Sequence, residues 1–357
     1  MIAHLCCSVD AGYFLKRLRE DYPDEEIIGY FYDPNIHPYS EFKLRSLDTK
    51  RICEKLGIKY VEGEYDYLTW YQKTKGLENE PEKGKRCSVC FDISIENAAK
   101  FAKKEGDDKV TTSLLMSPMK SHKQLDSIGG VIKRKYGVEF INVDYRKKGG
   151  TQAQQEFARD TQMYRQDYCG CIYGIWQQKQ NQEIIDELIS PWPFQTLPGS
   201  IEEKLKIYKK RIKLEEKGIK YKIVKENFLN YRLLNSKIIS KKIHLPHYTL
   251  FYSYLKRPQR VRIEFVKEGV AYANRAQIVF VDVLKINKIL NKNYTCVKDI
   301  YKNPPSIKEE INFREKVLNS KYNLSPVIVL NEFKDVRYDI EINSKIYPDN
   351  KEILIKF

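Results

Sequence analysis

Six of the eight cysteines fall into three close pairs: Cys6-Cys7, Cys87-Ser-Val-Cys90 and Cys169-Gly-Cys171. Thiols set a few residues apart are what a metal centre or a thiol redox couple needs. Cys87 and Cys90 at a helix start would turn two sulfurs toward one centre, where unpaired backbone N–H groups favour the thiolates. Cys6 and Cys7, adjacent in a loop after a strand, can also face one site. Four thiolates suit a tetrahedral zinc or an iron–sulfur cluster, and spacing does not separate the two. Cys169-Gly-Cys171 has three readings: a dithiol cycling with a strained, easily reduced disulfide, a turn with two buried thiols, or a further metal ligand. Cys53 and Cys296 stand alone, and Cys53 falls on a helical pattern as a small buried hydrophobe would.

Fewer signals come from the charged residues nearby. Asp10 lies three residues after Cys7. A first-turn carboxylate there caps a helix, binds a second metal or delivers a proton. His37, a lone histidine in a polar loop, reads as a surface or supporting residue. Glu41 and Arg45 stand four apart, the spacing of a salt bridge on a helix surface.

The first 180 residues alternate between strand and helix patterns. Strands are expected at Ile2–Leu5, Ile27–Tyr32, from Lys59, at Lys109–Ser113 and at Glu139–Val143. Helices are expected at Ala11–Asp21, Ser40–Leu56, Ser88–Lys104, Gln124–Tyr136 and Gln152–Met163. This order predicts a parallel, Rossmann-like (HUP-like) α/β sheet with helices on both faces. Ligands of such sheets bind beyond the carboxyl ends of the strands. Cys6-Cys7, Asp33–Pro38, Ser117-Pro118 and Asp144-Tyr145-Arg146 all fall there, and the helix opened by Cys87 and Cys90 returns to the same rim. Pro191-Trp192-Pro193 and Pro198-Gly199 read as a linker or turn. A basic helix at Ile201–Lys217 and strands at Leu250–Tyr254, Val261–Phe265, Gln277–Val283 and Phe333–Ile340 then suggest an α+β module. Two domains result, 1–190 and 200–357.

Charge follows that division. Residues 201–300 carry 24 Lys and Arg against 9 Asp and Glu, whereas residues 1–200 are balanced at 29 against 30. A basic stretch interleaved with Tyr208, Tyr221, Tyr231, Tyr248, Tyr252 and Tyr254 suits a polyanion such as nucleic acid. No apolar run approaches the roughly 20 residues of a membrane span. The start, Met1-Ile2-Ala3-His4-Leu5, lacks a basic n-region, so no secretory signal is expected. A cytoplasmic protein with reduced thiols follows, and clustered cysteines there favour metal binding or catalysis over structural disulfides.

Over residues 1–180 the chain resembles the epoxyqueuosine reductases of the QueH type. The resemblance rests on Cys6-Cys7 after His4, and on Tyr32-Asp33-Pro34-Asn35-Ile36-His37-Pro38 with Glu41 and Arg45. It rests equally on Arg86-Cys87-Ser-Val-Cys90, Asp144-Tyr145-Arg146 with Gly149-Gly150, and Tyr168-Cys169-Gly170-Cys171. It implies reduction of the epoxide on a modified wobble base of tRNA, epoxyqueuosine, to the alkene of queuosine. It also implies a cobalamin-independent oxidoreductase with a 4Fe-4S cluster on Cys6, Cys7, Cys87 and Cys90, and a redox-active Cys169/Cys171 pair able to form a disulfide bond. An external electron donor would serve the cycle. Many members begin C-C-x-P-C; here Asp10 takes the place of the last of these cysteines. Asp10 therefore joins the candidate catalytic residues, with an additional metal ion near it, ahead of Tyr32 and His37 as the proton source. The module at 200–357, which the resemblance does not cover, is the candidate grip on the tRNA. A zinc-binding, tRNA-interacting protein without redox activity is the alternative. An ATP-dependent tRNA thiolase would need a loop of the form S-G-G-x-D-S after strand one, where this chain has Cys6-Cys7-Ser8-Val9-Asp10-Ala11-Gly12.

Overall fold

The computed structural model describes residues 1–118, 120–166, 168–178 and 195–357. The chain divides into two compact units. The first takes the described residues of Met1–Ile185 with Lys204–Ile223 and Leu354–Phe357, and the second those of Asp186–Glu203 and Val224–Ile353. The turn expected at Pro191–Pro193 lies outside the described residues, and Pro198-Gly199 forms a turn.

The first unit is built on five parallel strands: β1 (Ile2–Leu5), β2 (Ile28–Phe31), β3 (Lys59–Glu62), β4 (Lys109–Thr112) and β5 (Glu139–Phe140). Their order is β3-β2-β1-β4-β5. Ile2 aligns with Ile28 on one side and Val110 on the other. Every residue of β1 and β2 is buried, so the centre of the sheet is covered on both faces. The covering helices are α1 (Ser8–Asp21), α2 (Tyr39–Lys55), α3 (Tyr67–Lys73), α4 (Lys85–Glu105), α5 (His122–Tyr136) and α6 (Gly150–Asp160). The short α7 (Ile172–Gln178) follows the third cysteine pair. α1 packs against α2 and α6, and α4 packs against α5. Phe14, Leu15 and Leu18 of α1 and Ile95, Ala98, Ala99 and Ala102 of α4 point into the core at the spacing of a single helix face. Cys53 is fully buried in this core, as its pattern suggests.

Most strand and helix expectations hold to within a few residues. β5 is shorter than expected: past Phe140, Ile141 is tied to β4 by its N–H to the Val110 carbonyl and by its carbonyl, which accepts from the Thr111 hydroxyl, both at 2.8 Å. α3 and α7, of seven residues each, were too short for a helical period to stand out. The basic helix appears as α8 (Ile201–Glu216). Within the first unit its Arg211 is fully buried, paired with Asp48 of α2, and donates to the Gln162 carbonyl at 2.7 Å. Arg51 pairs with Glu215 at 2.7 Å. Burial works to raise the Asp48 carboxyl, and the Arg211 and Arg51 guanidiniums overcome it and hold it below its ordinary range.

The second unit carries two further sheets. One has the order β10-β11-β12-β13-β8, from β8 (His247–Thr249), β10 (Ile263–Lys267), β11 (Val270–Ala273), β12 (Val279–Asp282) and β13 (Val327–Leu330). It is antiparallel except for the β12/β13 pair. The other has the order β7-β6-β14-β9, from β6 (Tyr221–Ser240), β7 (Ile243–His244), β9 (Gln259–Val261) and β14 (Tyr338–Lys356). Helices α9 (Val283–Leu290), α10 (Val297–Lys302) and α11 (Ile307–Leu318) complete it. Two expected strands are displaced. Leu250–Tyr254 is a turn, since Tyr252 has φ 67° and Ser253 N–H reaches back to the Leu250 carbonyl, and the strand lies just before it at β8. Phe333–Val336 also turns, and β14 begins only at Tyr338. No helix among the described residues is long and apolar enough to cross a membrane.

Candidate active site

The three cysteine pairs meet. Cys6, Cys7, Cys87, Cys90, Cys169 and Cys171 all line one cavity of about 290 Å³ in the first unit, and Asp10 lines it with them. Cys6 and Cys7 leave the end of β1 and lead into α1, with Cys7 at the N-cap position. Asp10 therefore sits in the first turn without capping it. It faces Cys6, with Oδ2 3.7 Å from the Cys6 sulfur, while Gln154 of α6 donates to Oδ1 at 2.7 Å. Burial pushes the Asp10 carboxyl above its ordinary range, against the hydrogen bonds from Gln154 and Cys6. The Cys6 and Cys7 sulfurs are 3.9 Å apart, and that contact, followed by burial, drives the Cys6 thiol well above its ordinary value. Ser113, just past β4, donates its hydroxyl to the Cys6 sulfur at 3.4 Å and accepts from Cys6 N–H at 3.1 Å.

Cys87 and Cys90 occupy the first two turns of α4. Burial raises both thiols, most strongly at Cys90; at Cys87 the Lys83 N–H, 3.3 Å from the sulfur, opposes it. Among the described residues, the ligand atoms of Cys6, Cys7 and Asp10 lie within 4.8 Å of one another, and neither Cys87 nor Cys90 joins that group.

The third pair is held by its backbone. Arg45 of α2 donates to the Cys169 carbonyl at 3.1 Å and to the Tyr168 carbonyl at 3.0 Å. Its Nε donates to Glu41 at 2.7 Å, and Tyr164 O–H donates to the other Glu41 oxygen at 2.8 Å. Arg45 and Glu41 are 3% and 0% exposed, so the pair is a buried clamp and not the helix-surface salt bridge that its spacing suggests. Its chemical reason is the set of loop carbonyls it satisfies, which a surface pair would leave to water. His37 acts through its backbone: its N–H donates to the Gly170 carbonyl at 2.8 Å, and its carbonyl accepts from Tyr168 O–H at 2.9 Å. Gly170 has φ 107°, and a Cβ there would sit 3.1 Å from both Arg45 and Ile36. The positive φ favours glycine, and the close side chains leave little room for anything larger.

All eight cysteines are free, and no disulfide joins Cys169 to Cys171. Each has its own neighbours: Lys120 Nζ lies 3.7 Å from the Cys169 sulfur, whereas Cys171 is buried at the start of α7, where burial raises its thiol against the Gly174 N–H. Lys120 also stands over the Phe91 ring at 5.1 Å. Burial opposes its charge, and the surrounding thiols, Cys169 first, outweigh burial and push its ammonium up. Arg146 fixes the Lys120 loop by donating to the carbonyls of Ser117 and Lys120, at 3.1 and 3.3 Å. A Cβ at Gly150 would collide with the Tyr145 carbonyl, so Asp144-Tyr145-Arg146 and Gly149-Gly150 form one packed corner.

Sequence reasoning did not single out Lys120 or Gln154, which no local spacing marks. The inward face of Arg45 and Glu41 had one faint signal, the apolar Phe42 and Leu44 beside them.

Fold and site together define an α/β protein with a thiol-rich pocket at the carboxyl ends of a parallel sheet, a class suited to metal-dependent redox chemistry. The family model described as epoxyqueuosine reductase QueH matches residues 1–177. The epoxyqueuosine reductase QueH of Helicobacter pylori is 36% identical over 358 residues, covering 96% of this chain and 97% of its own length. That of Thermotoga maritima is 31% identical over 188 residues, covering 52% of this chain and 95% of its own length. A solved U34-tRNA thiolase NcsA from Methanococcus maripaludis with its 4Fe-4S cluster is 16% identical, covers 59% of this chain and 71% of its own, and superposes with a TM-score of only 0.34, too low to carry an argument. The chain belongs to the epoxyqueuosine reductase QueH family and is an oxidoreductase.

Proposed function

We propose that the cysteine-lined cavity removes the epoxide oxygen of epoxyqueuosine in tRNA, giving queuosine. The observation that carries this reading is the meeting of all three cysteine pairs and Asp10 at one cavity. The reaction needs two electrons and two protons, and releases water. A dithiol at Cys169 and Cys171 holds that amount: its oxidation to a disulfide would match reduction of one epoxide to an alkene, and an external reductant would restore the thiols.

The donor set fits a metal cluster. A single ion with a metal–sulfur distance of about 2.3 Å keeps its ligand atoms within about 4.6 Å of one another. Cys87 and Cys90 stand outside the tight group of Cys6, Cys7 and Asp10, so all four thiols together suit a larger inorganic core. A 4Fe-4S cluster on Cys6, Cys7, Cys87 and Cys90 would supply one-electron transfers. An additional metal ion would take Asp10, whose Oδ2 lies 3.7 Å from the Cys6 sulfur. Thiols raised by burial are stabilised as thiolates by such a cation.

The chain's own groups do the rest. Asp10, oriented by Gln154, would hold a proton for the departing oxygen. Tyr32 and His37 do not line the cavity, which leaves Asp10 as the better proton source. Lys120 holds charge beside Cys169, and Trp70 and Phe91 form part of an apolar wall. The strand order β3-β2-β1-β4-β5 supports a Rossmann-like, HUP-like sheet. In the second unit, Phe265 of the largely exposed β10 stacks on the half-buried Tyr272 of β11 at 4.5 Å, near the exposed Arg262, Lys267 and Arg275. That surface suits unpaired bases and phosphates of tRNA, and a tRNA substrate supports a cytoplasmic reading.

The test is anaerobic. Protein reconstituted with iron and sulfide is incubated with a chemical reductant and tRNA carrying epoxyqueuosine, and nucleosides are read by mass spectrometry. Loss of one oxygen is expected from the wild type and not from Cys169→Ser. A colourless protein that leaves the epoxide intact would favour the zinc-binding alternative without redox activity, and an active Cys169→Ser would remove the redox pair from the mechanism.

A further inference from the structure

Asp33 follows β2 and lines the cysteine cavity, yet the reaction as described gives it no task. It is 5% exposed, and its Oδ2 has no hydrogen-bond partner. A buried acceptor left without a donor costs about 1–3 kcal/mol, so such an atom in a cavity wall calls for an explanation.

The neighbouring donors are committed elsewhere. His4 Nε2 is 3.9 Å from Asp33 Oδ2, but it lies 3.0 Å from the Tyr32 carbonyl, which can only accept. Nε2 therefore carries its hydrogen to Tyr32. Nδ1, 2.8 Å from Thr112 Oγ1, accepts from that hydroxyl, and burial lowers the imidazole pKa to about 4, leaving it neutral. Arg45 directs Nε to Glu41 and one hydrogen of each terminal nitrogen to the Cys169 and Tyr168 carbonyls, so its charge acts on Asp33 without a hydrogen bond to Oδ2.

We infer that Asp33 is a substrate-specificity residue: its Oδ2 accepts a hydrogen bond from a hydroxyl or protonated amine on the modified nucleotide. This rests on the reading of the cavity as the reductase site. Burial pushes the Asp33 carboxyl up to about 8, with the Arg45 charge opposing it. An epoxide oxygen has no hydrogen to give, so it is not a group from which Asp33 can accept. The contact falls on a different edge of the same base substituent. Asp33 thus grips and orients the substrate while the reacting oxygen faces Asp10 and the thiols.

The experiment compares wild type, Asp33→Asn and Asp33→Ala for kcat and KM on epoxyqueuosine tRNA, with iron content and near-visible absorption measured on each. Binding of epoxyqueuosine tRNA against the same tRNA with unmodified guanine is measured in parallel. Asp33→Ala is expected to raise KM about two- to tenfold if the donor is a hydroxyl, and about ten- to a hundredfold if it is an ammonium. Iron should stay unchanged. Asp33→Asn keeps an acceptor and most of the affinity for a hydroxyl, but loses as much as alanine for an ammonium. Iron loss in either variant would make Asp33 a metal ligand and overturn the inference. So would a KM within twofold of wild type in Asp33→Ala, or a fall in kcat alone. If wild type leaves the epoxide intact, the reductase reading fails by itself. The binding arm then decides for Asp33: discrimination between the two tRNAs that survives in Asp33→Ala overturns the inference, and its loss supports it.

Discussion

The first unit has an open-mouthed cavity of about 290 Å³ and the second has one of about 420 Å³, and the larger of these two has the weaker claim to chemistry. In the second unit the buried carboxylate of Glu310 lines the cavity, and it is fully occupied. Gln195 and Tyr248 donate to one oxygen at 2.6 and 2.7 Å, and Phe251 N–H to the other at 2.7 Å. In the first unit Asp33 Oδ2 and Gln166 Oε1 line the cavity with no donor, among thiols that burial holds away from their charged form. Polar groups that satisfy one another build structure, whereas polar groups left waiting mark a site. The relatives divide in the same way. The Thermotoga protein is nearly accounted for by 188 aligned residues, and the Helicobacter protein matches along this whole chain.

The sharpest way to break that contrast is Cys90→Ser. It should abolish near-visible absorption and lower turnover by at least about a thousandfold, roughly 4 kcal/mol of barrier. Full colour and full turnover would show that the thiols of the first cavity are ornamental. Next come the two buried carboxylate networks, one in each unit. Arg45→Met strands Glu41 and should cost about 3–5 kcal/mol in denaturant unfolding, and it should also slow turnover because the Cys169 loop loses its clamp. Glu310→Ala should destabilise by about 1–3 kcal/mol while kcat on saturating tRNA stays within twofold. If Glu310→Ala instead abolished catalysis with the fold intact, the second cavity would have to share the chemistry. Phe265→Ala should have the smallest effect: about a fivefold rise in KM for tRNA, growing with salt, at constant kcat.

Much of the first unit could be read from its residues, because its signals are local. The period of the hydrophobic residues gives the helices, and the pairing of the cysteines gives the rim. What stayed hidden depends on contacts across long stretches of chain. Gln154 orients Asp10 from 144 residues away, and Arg211 reaches Asp48 across 163. Arg45 and Glu41 have the spacing of an exposed pair, and only the carbonyls they meet make them interior. The second unit was harder still. Its strands are short, and a left-handed Tyr252 ends a run that reads as extended. Asp33 falls in the Tyr32–Pro38 motif, but its unpartnered oxygen shows only in the fold.

The Cys169-Gly170-Cys171 loop is gripped by a guanidinium on a helix 124 residues earlier. The tripeptide is consequently not a portable cassette. Grafted alone into a foreign scaffold, it would keep its two sulfurs but forfeit their bearing toward each other and toward any guest. An engineer borrowing this dithiol would have to transplant the distant arginine, its buried glutamate and the space vacated by the absent methyl as one inheritance.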